Sequence, residues 1–190
     1  VRPRDFRPGR RYPALVSVYG GPLSQMVTAS RRSYLLQQWF ADCGFVVVSL
    51  DGRGTPNRGR EWERAIRGNV IERPLEDQVE GLQAVCERVP EIDPGRVGIF
   101  GWSFGGYFSA MAVLRRPDVY AAGVAGAPVA DWHDYDTHYT ERYLGLPEKN
   151  REGYRSNSVL THAGDLARPL MVIHGTADDN VYFLHGLKMA

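Results

Sequence analysis

Apolar residues along the chain fall into two alternating patterns. Short continuous runs are separated by segments in which apolar positions recur every three or four residues. Ala14-Leu15-Val16-Ser17-Val18-Tyr19 predicts a strand, ended by Gly20-Gly21-Pro22. Tyr34 to Cys43 predicts a helix with Leu35, Leu36, Trp39, Phe40 and Cys43 on one apolar face and Gly44 as its stop. Phe45-Val46-Val47-Val48-Ser49-Leu50 predicts a second strand, apolar on both faces as an internal parallel strand should be. Pro74 opens another helix where its missing N–H costs nothing, and Leu75, Val79, Leu82, Val85 and Val89 follow at helical spacing. Arg96 to Gly101 predicts a third strand, and a helix from Phe104 to Arg116 follows at once, ended by Pro117. Tyr120 to Ala125 and Pro169 to His174 predict two more strands. Strands alternating with helices imply an α/β fold with a mostly parallel sheet, whose chemistry gathers at the carboxyl ends of the strands.

Composition narrows the classes. The 190 residues are 43% hydrophobic and 24% charged, which excludes a disordered chain, a collagen-like chain and a membrane bundle. No apolar run approaches the roughly 18 residues of a membrane-spanning helix. Lys and Arg number 23 against 22 Asp and Glu, so the net charge of +1 offers no reason to expect nucleic acid as a partner. Cys43 and Cys86 make no disulfide framework and have no zinc spacing; both are expected as buried free thiols, and no metal is expected. The chain opens on Val1 and closes on Gly186-Leu187-Lys188-Met189-Ala190, inside a helical pattern, so a fragment of a larger domain is expected.

The chemistry sits in Gly101-Trp102-Ser103-Phe104-Gly105, which fits G-x-S-x-G at a strand-to-helix junction. Glycines on both sides permit a turn too sharp for a Cβ, lifting the Ser103 hydroxyl above the sheet edge. The Phe104 N–H, at a helix start, can face a developing oxyanion. A serine nucleophile needs a histidine base backed by an acid, in the chain order Ser, Asp or Glu, His. The loop Gly175-Thr176-Ala177-Asp178-Asp179-Asn180 follows the last predicted strand, so Asp178 or Asp179 is the candidate acid. Of the five histidines, His133, His138, His162, His174 and His185, only His185 follows that loop. It lies too close to the acid, in the next helix, and is expected to be a helix residue without catalytic work. His174 is expected to be a packed, hydrogen-bonded histidine at a strand end.

These motifs resemble the dipeptidyl peptidase IV family, within the prolyl oligopeptidase superfamily. The resemblance rests on Gly101-Trp102-Ser103-Phe104-Gly105-Gly106-Tyr107, on His174-Gly175-Thr176-Ala177-Asp178-Asp179-Asn180-Val181, and on the segment from Trp132 to Tyr143 containing Tyr139-Thr140-Glu141-Arg142-Tyr143. Val18-Tyr19-Gly20-Gly21-Pro22 and Asp51-Gly52-Arg53-Gly54 also fit. The resemblance implies an α/β-hydrolase fold over residues 1–190, with Ser103 as nucleophile and Asp178 as triad acid. It implies an oxyanion hole made by the Tyr19 hydroxyl and the Phe104 N–H. Val129, Trp132, Tyr135, Tyr139 and Val181 would line a pocket for a penultimate proline or alanine, and Asn180 would bond a substrate carbonyl. A flat, apolar, donor-free proline ring suits an aromatic box. The sequence departs at Phe104, commonly tyrosine in the family, which removes a side-chain hydroxyl but not the backbone donor.

The resemblance further implies peptide substrates, no cofactor, a β-propeller domain elsewhere in the parent chain, and room for a homodimer. The family's catalytic histidine would follow the acid loop by roughly thirty residues, beyond Ala190. The expected function is a serine peptidase forming an acyl-enzyme and releasing N-terminal X-Pro or X-Ala dipeptides. The 190-residue chain alone is expected to be inactive. The alternatives are an esterase of the same fold and an inactive relative acting as a binding or structural protein. Periplasm and cytoplasm are both compatible with the composition.

Overall fold

The computed structural model describes residues 1–190. In chain order the elements are β1 (Tyr12–Val18), α1 (Leu35–Asp42), β2 (Val46–Val48), α2 (Arg60–Arg64), α3 (Glu72–Arg88), β3 (Ile92–Trp102) and α4 (Phe104–Arg115). Then come β4 (Ala122–Gly126), α5 (Thr137–Leu144), α6 (Arg151–Asn157), α7 (Val159–His162), β5 (Leu170–Ile173) and α8 (Leu184–Met189). The strands form one sheet in the order β2-β1-β3-β4-β5, with every pair parallel. This is the α/β-hydrolase architecture the sequence implies.

The order has a functional consequence. The chain leaves β1 for β2 on one side, then returns across β1 to β3 and continues in the other direction. The carboxyl ends of β1 and β3 therefore flank a topological switch point, where the crossovers diverge and leave a crevice. Tyr19 follows the end of β1 and Ser103 follows the end of β3.

The core lies between the sheet and its helices. α4 is its centre: every residue from Phe104 to Leu114 is buried, as expected of a helix that is apolar on all sides. β1 and β2 contribute Ala14, Val16, Val18, Val46 and Val48, and α3 adds Leu75, Val79 and Leu82. No helix is long and apolar enough to cross a membrane.

Four details differ from the sequence expectation. β3 begins at Ile92, because Ile92 and Asp93 pair with Tyr12 and Pro13 before a bulge, and pairing resumes at Val97. The Asp93 carboxylate supports the bulge by accepting from the Gly95 N–H at 3.1 Å and the Arg96 guanidinium at 2.8 Å. α3 begins at Glu72, so Pro74 is its third residue, still within the turn that needs no intrahelical N–H. The face expected to be buried on α1 is outside: Leu35, Leu36, Trp39 and Cys43 are exposed. α1 instead approaches the sheet through Ala41 and Gln37, whose amide donates to the buried Ser17 hydroxyl, while Phe40 packs against Phe100 with ring centroids 5.6 Å apart. Neither cysteine is a buried thiol, since Cys86 is only half-buried.

Candidate active site

Ser103 occupies the sharp turn between β3 and α4, at φ 56° and ψ −118°. Left-handed backbone is strained for a residue with a Cβ and persists where the surroundings fix it. Here the Ser103 N–H donates to Gly126 O at 2.8 Å and its carbonyl accepts from the Tyr107 N–H at 3.0 Å. The flanking glycines are required by close approach: a Cβ at Gly101 or Gly105 would run into the Val18 carbonyl, and one at Gly106 into the Gly126 carbonyl. The Ser103 hydroxyl has no hydrogen-bond partner within the chain and is free to face a substrate.

Two donors stand beside it. The Phe104 N–H opens α4 and bonds to nothing within the chain, as expected of the first N–H groups of a helix. Tyr19 leans on the Phe104 ring, with centroids 5.7 Å apart. Burial, followed by the neighbouring Tyr135 and Tyr143, raises the Tyr19 phenol above its ordinary pKa. Its proton is therefore retained and available for donation.

An aromatic box adjoins these groups. Trp132 stacks on Tyr139 at 6.1 Å, and Tyr135 meets both edge-on, at 5.9 Å to Trp132 and 5.5 Å to Tyr139. Tyr19, Ser103, Phe104, Val129, Trp132, Tyr135 and Tyr139 enclose a shared cleft of about 20 Å³. That is room for about one water molecule. Local sequence builds this wall. Asp131 caps the 3-10 turn of Trp132–Asp134 through the His133 N–H, and Asp136 caps α5 through the Tyr139 N–H at 2.9 Å. Burial is the main cause that drives the Tyr139 phenol far above its ordinary pKa, with Tyr19 next, so this wall stays neutral.

The acid loop closes the other side. One Asp178 carboxylate oxygen accepts from the Asn180 and Val181 N–H groups at 3.1 and 3.0 Å. Asp179 is exposed and makes no such bonds, so Asp178 is the held carboxylate of the pair. The Tyr135 hydroxyl donates to Asn180 Oδ1 at 3.0 Å and ties the loop to the box. Val181 is buried in the core beneath it.

No histidine is hydrogen-bonded to Ser103. His133 bonds Asp131 at 2.9 Å, and His162 bonds the Ser156 carbonyl at 3.0 Å. His138 is exposed on α5. His174 Nε2 donates to Val181 O at 2.7 Å and lies 3.8 Å from the second Asp178 oxygen. His185 is fully buried and accepts from the Ala130 N–H. His174 is thus hydrogen-bonded at a strand end and His185 sits on a helix, the places the sequence leads one to expect for them.

Sequence reasoning cited Tyr143 within its motif but gave it no place beside the box; it meets Tyr139 edge-on at 4.9 Å, and their i, i+4 spacing on α5 is the signal for that contact. It also passed over Asp77, which binds the Arg53 guanidinium and backbone N–H and fixes the loop after β2. Nothing in their separation of 24 residues announces that pair.

A profile of the prolyl oligopeptidase family matches residues 31–190. Dipeptidyl peptidase 8 of Homo sapiens is 43% identical over 189 residues, covering 97% of this chain and 21% of its own. A Coccidioides posadasii protein provisionally named dipeptidyl-aminopeptidase B is 38% identical over 190 residues, covering 99% of this chain and 21% of its own. A crystal structure of a Bacteroides ovatus protein, provisionally named a dipeptidyl aminopeptidase IV, is similar with a TM-score of 0.93 and 36% identity, over 99% of this chain and 27% of that one. The chain spans about a fifth to a quarter of the length of these relatives.

Proposed function

The chain belongs to the prolyl oligopeptidase family, and on that premise we propose that it is the nucleophile-bearing part of a serine peptidase that removes N-terminal X-Pro or X-Ala dipeptides. The observation that supports the reading is the unbonded Ser103 hydroxyl on a strained turn, in one cleft with Tyr19, Phe104 and an aromatic box.

In this mechanism Ser103 Oγ attacks the scissile carbonyl carbon and gives its proton to a histidine base in the remainder of the parent polypeptide. Asp178 orients that histidine with its second carboxylate oxygen, its first being held by the two loop N–H groups. The carbonyl oxygen becomes an oxyanion, stabilised by the Tyr19 hydroxyl and the Phe104 N–H. The C–N bond then breaks, the base returns its proton to the leaving amine, and water hydrolyses the acyl-enzyme. The proline ring lies among Val129, Trp132, Tyr135, Tyr139 and Val181, and Asn180 bonds the adjacent substrate carbonyl. The parent chain supplies a β-propeller that grips the free amine. No metal or cofactor takes part in any of these steps.

The discriminating experiment compares an X-Pro amide with a simple ester in the full-length protein. Tyr135→Ala and Tyr139→Ala are expected to lower kcat/KM for the amide by about 10-fold or more relative to the ester, the usual range for deleting a buried aromatic contact. Equal losses on both substrates would favour an esterase of the same fold. No turnover of either by the wild type, or full activity in Ser103→Ala, would sink the serine hydrolase reading itself.

A further inference from the structure

We propose that His185 is a positioning residue for the substrate pocket: through the Ala130 N–H it locks the pocket wall to the helix that follows the acid loop. The proposal rests on the reading of the aromatic box as that pocket.

The wall is the segment from the end of β4 to Trp132. It leaves the sheet through Ala127, a residue with a side chain at φ 42°, and such a conformation persists only where contacts around it over-determine it. Those contacts can be counted along the backbone. The Ala127 N–H donates to Ile173 O at 2.7 Å, and the Ala130 carbonyl accepts from the Val159 N–H at 2.9 Å and the Ser158 hydroxyl at 3.2 Å. The remaining anchor is the Ala130 N–H, which donates to His185 Nδ1 at 3.1 Å. Val129 precedes this residue directly and Trp132 follows it by two, so any displacement of Ala130 moves both walls of the box.

Position and protonation state both suit His185 to this task. Its exposure is 0%, and it is the second residue of α8, just beyond the acid loop. An Nδ1 that accepts requires a neutral ring with its proton on Nε2, a nitrogen that is itself buried without a hydrogen-bond partner in the chain, so the tautomer is fixed from the Nδ1 side alone. Burial favours that state by lowering the pKa. The next residue, Gly186, packs so tightly on His174 that an added Cβ would reach its Nδ1 at 3.0 Å. His174 in turn holds the Val181 carbonyl. α8 therefore touches the pocket wall through His185 and the acid loop through His174. A residue that merely filled the core would not supply an acceptor, and a buried N–H without one is costly.

The test measures kcat and KM of the full-length protein on an X-Pro amide and on an acetyl ester that places nothing in the box. His185→Leu keeps the volume and removes the acceptor. Its kcat/KM for the amide is expected to fall about 10-fold or more, chiefly through KM, with the ester within about twofold. His185→Gln carries an amide oxygen that can accept the same N–H, and is expected to stay within about threefold of wild type on both. Equal falls on the two substrates in His185→Leu, or a His185→Gln variant as impaired as His185→Leu, would overturn the proposal. If His185→Leu does not fold, the wild-type ring ¹⁵N resonances decide: an unprotonated Nδ1 and protonated Nε2 support it, and the reverse overturns it. A wild type inert to the amide would instead overturn the peptidase reading, and the resonances would still show whether His185 holds Ala130.

Discussion

Tyr19 is the side chain on which the oxyanion argument turns. Its ring is seated on Phe104 and its phenol is held protonated by burial, so its donor is in place before any substrate arrives. Such a donor acts mainly where charge develops, in the transition state, and little in the ground state. Tyr19→Phe is therefore expected to lower kcat by ~10²–10³ while leaving KM nearly unchanged. Steady-state kinetics of the full-length protein checks this, and a loss of less than about threefold would put Tyr19 outside the hole. At this scale the sequence was informative where chemistry and backbone demand coincide, as at Ser103, whose glycine neighbours are written into the motif. The residue pattern alone could not separate Asp178 from Asp179, because adjacent residues share its signals, and only the family resemblance pointed to Asp178. In the folded loop two N–H groups are aimed at the Asp178 carboxylate and none at Asp179, a difference that exists only once the turn has formed.

Among the elements, the junction of β3 and α4 is the most constrained. α4 starts so close to β1 that Gly105 has the Val18 carbonyl where a Cβ would be. The obstacle is backbone in a central strand, not the end of a flexible side chain, so it cannot swing aside. Gly105→Ala is expected to destabilise the domain by about 3 kcal/mol, the upper part of the overpacking range. Gly164→Ala is the matched control: a Cβ there meets nothing within 4 Å, and its effect is expected within about 0.5 kcal/mol. Unfolding midpoints of the full-length variants measure the contrast, and equal midpoints would refute the close-packed junction. The elements themselves were legible because strand and helix periods survive in the sequence. The inward face of α1 was not. Periodicity reveals a stripe of Leu35, Leu36, Trp39 and Cys43, but the side that meets the sheet carries the small Ala41 and the polar Gln37, which no apolar stripe announces.

The sheet as a whole has two unequal edges. On the β2 side, Val47 exchanges both its backbone groups with Val1, so the outer edge is partly occupied. On the β5 side, the strand pairs with β4 alone, and Met171, Val172 and Ile173 are 60%, 36% and 38% exposed. An apolar strand with one unpaired row of N–H and C=O groups is a template for a second copy of itself. The 190-residue chain in isolation is therefore expected to self-associate through β5. Val172→Lys places a charge on that edge and is expected to shift the isolated chain toward monomer, as seen by light scattering against concentration, because burying an unpaired ammonium in a sheet-to-sheet contact is unfavourable. Ala177→Lys, in the exposed acid loop outside the strand, adds the same charge without touching the edge, and separates edge pairing from a general gain in solubility. A wild-type chain that stays monomeric at high concentration, or equal rescue by both substitutions, would show that β5 is not the adhesive edge.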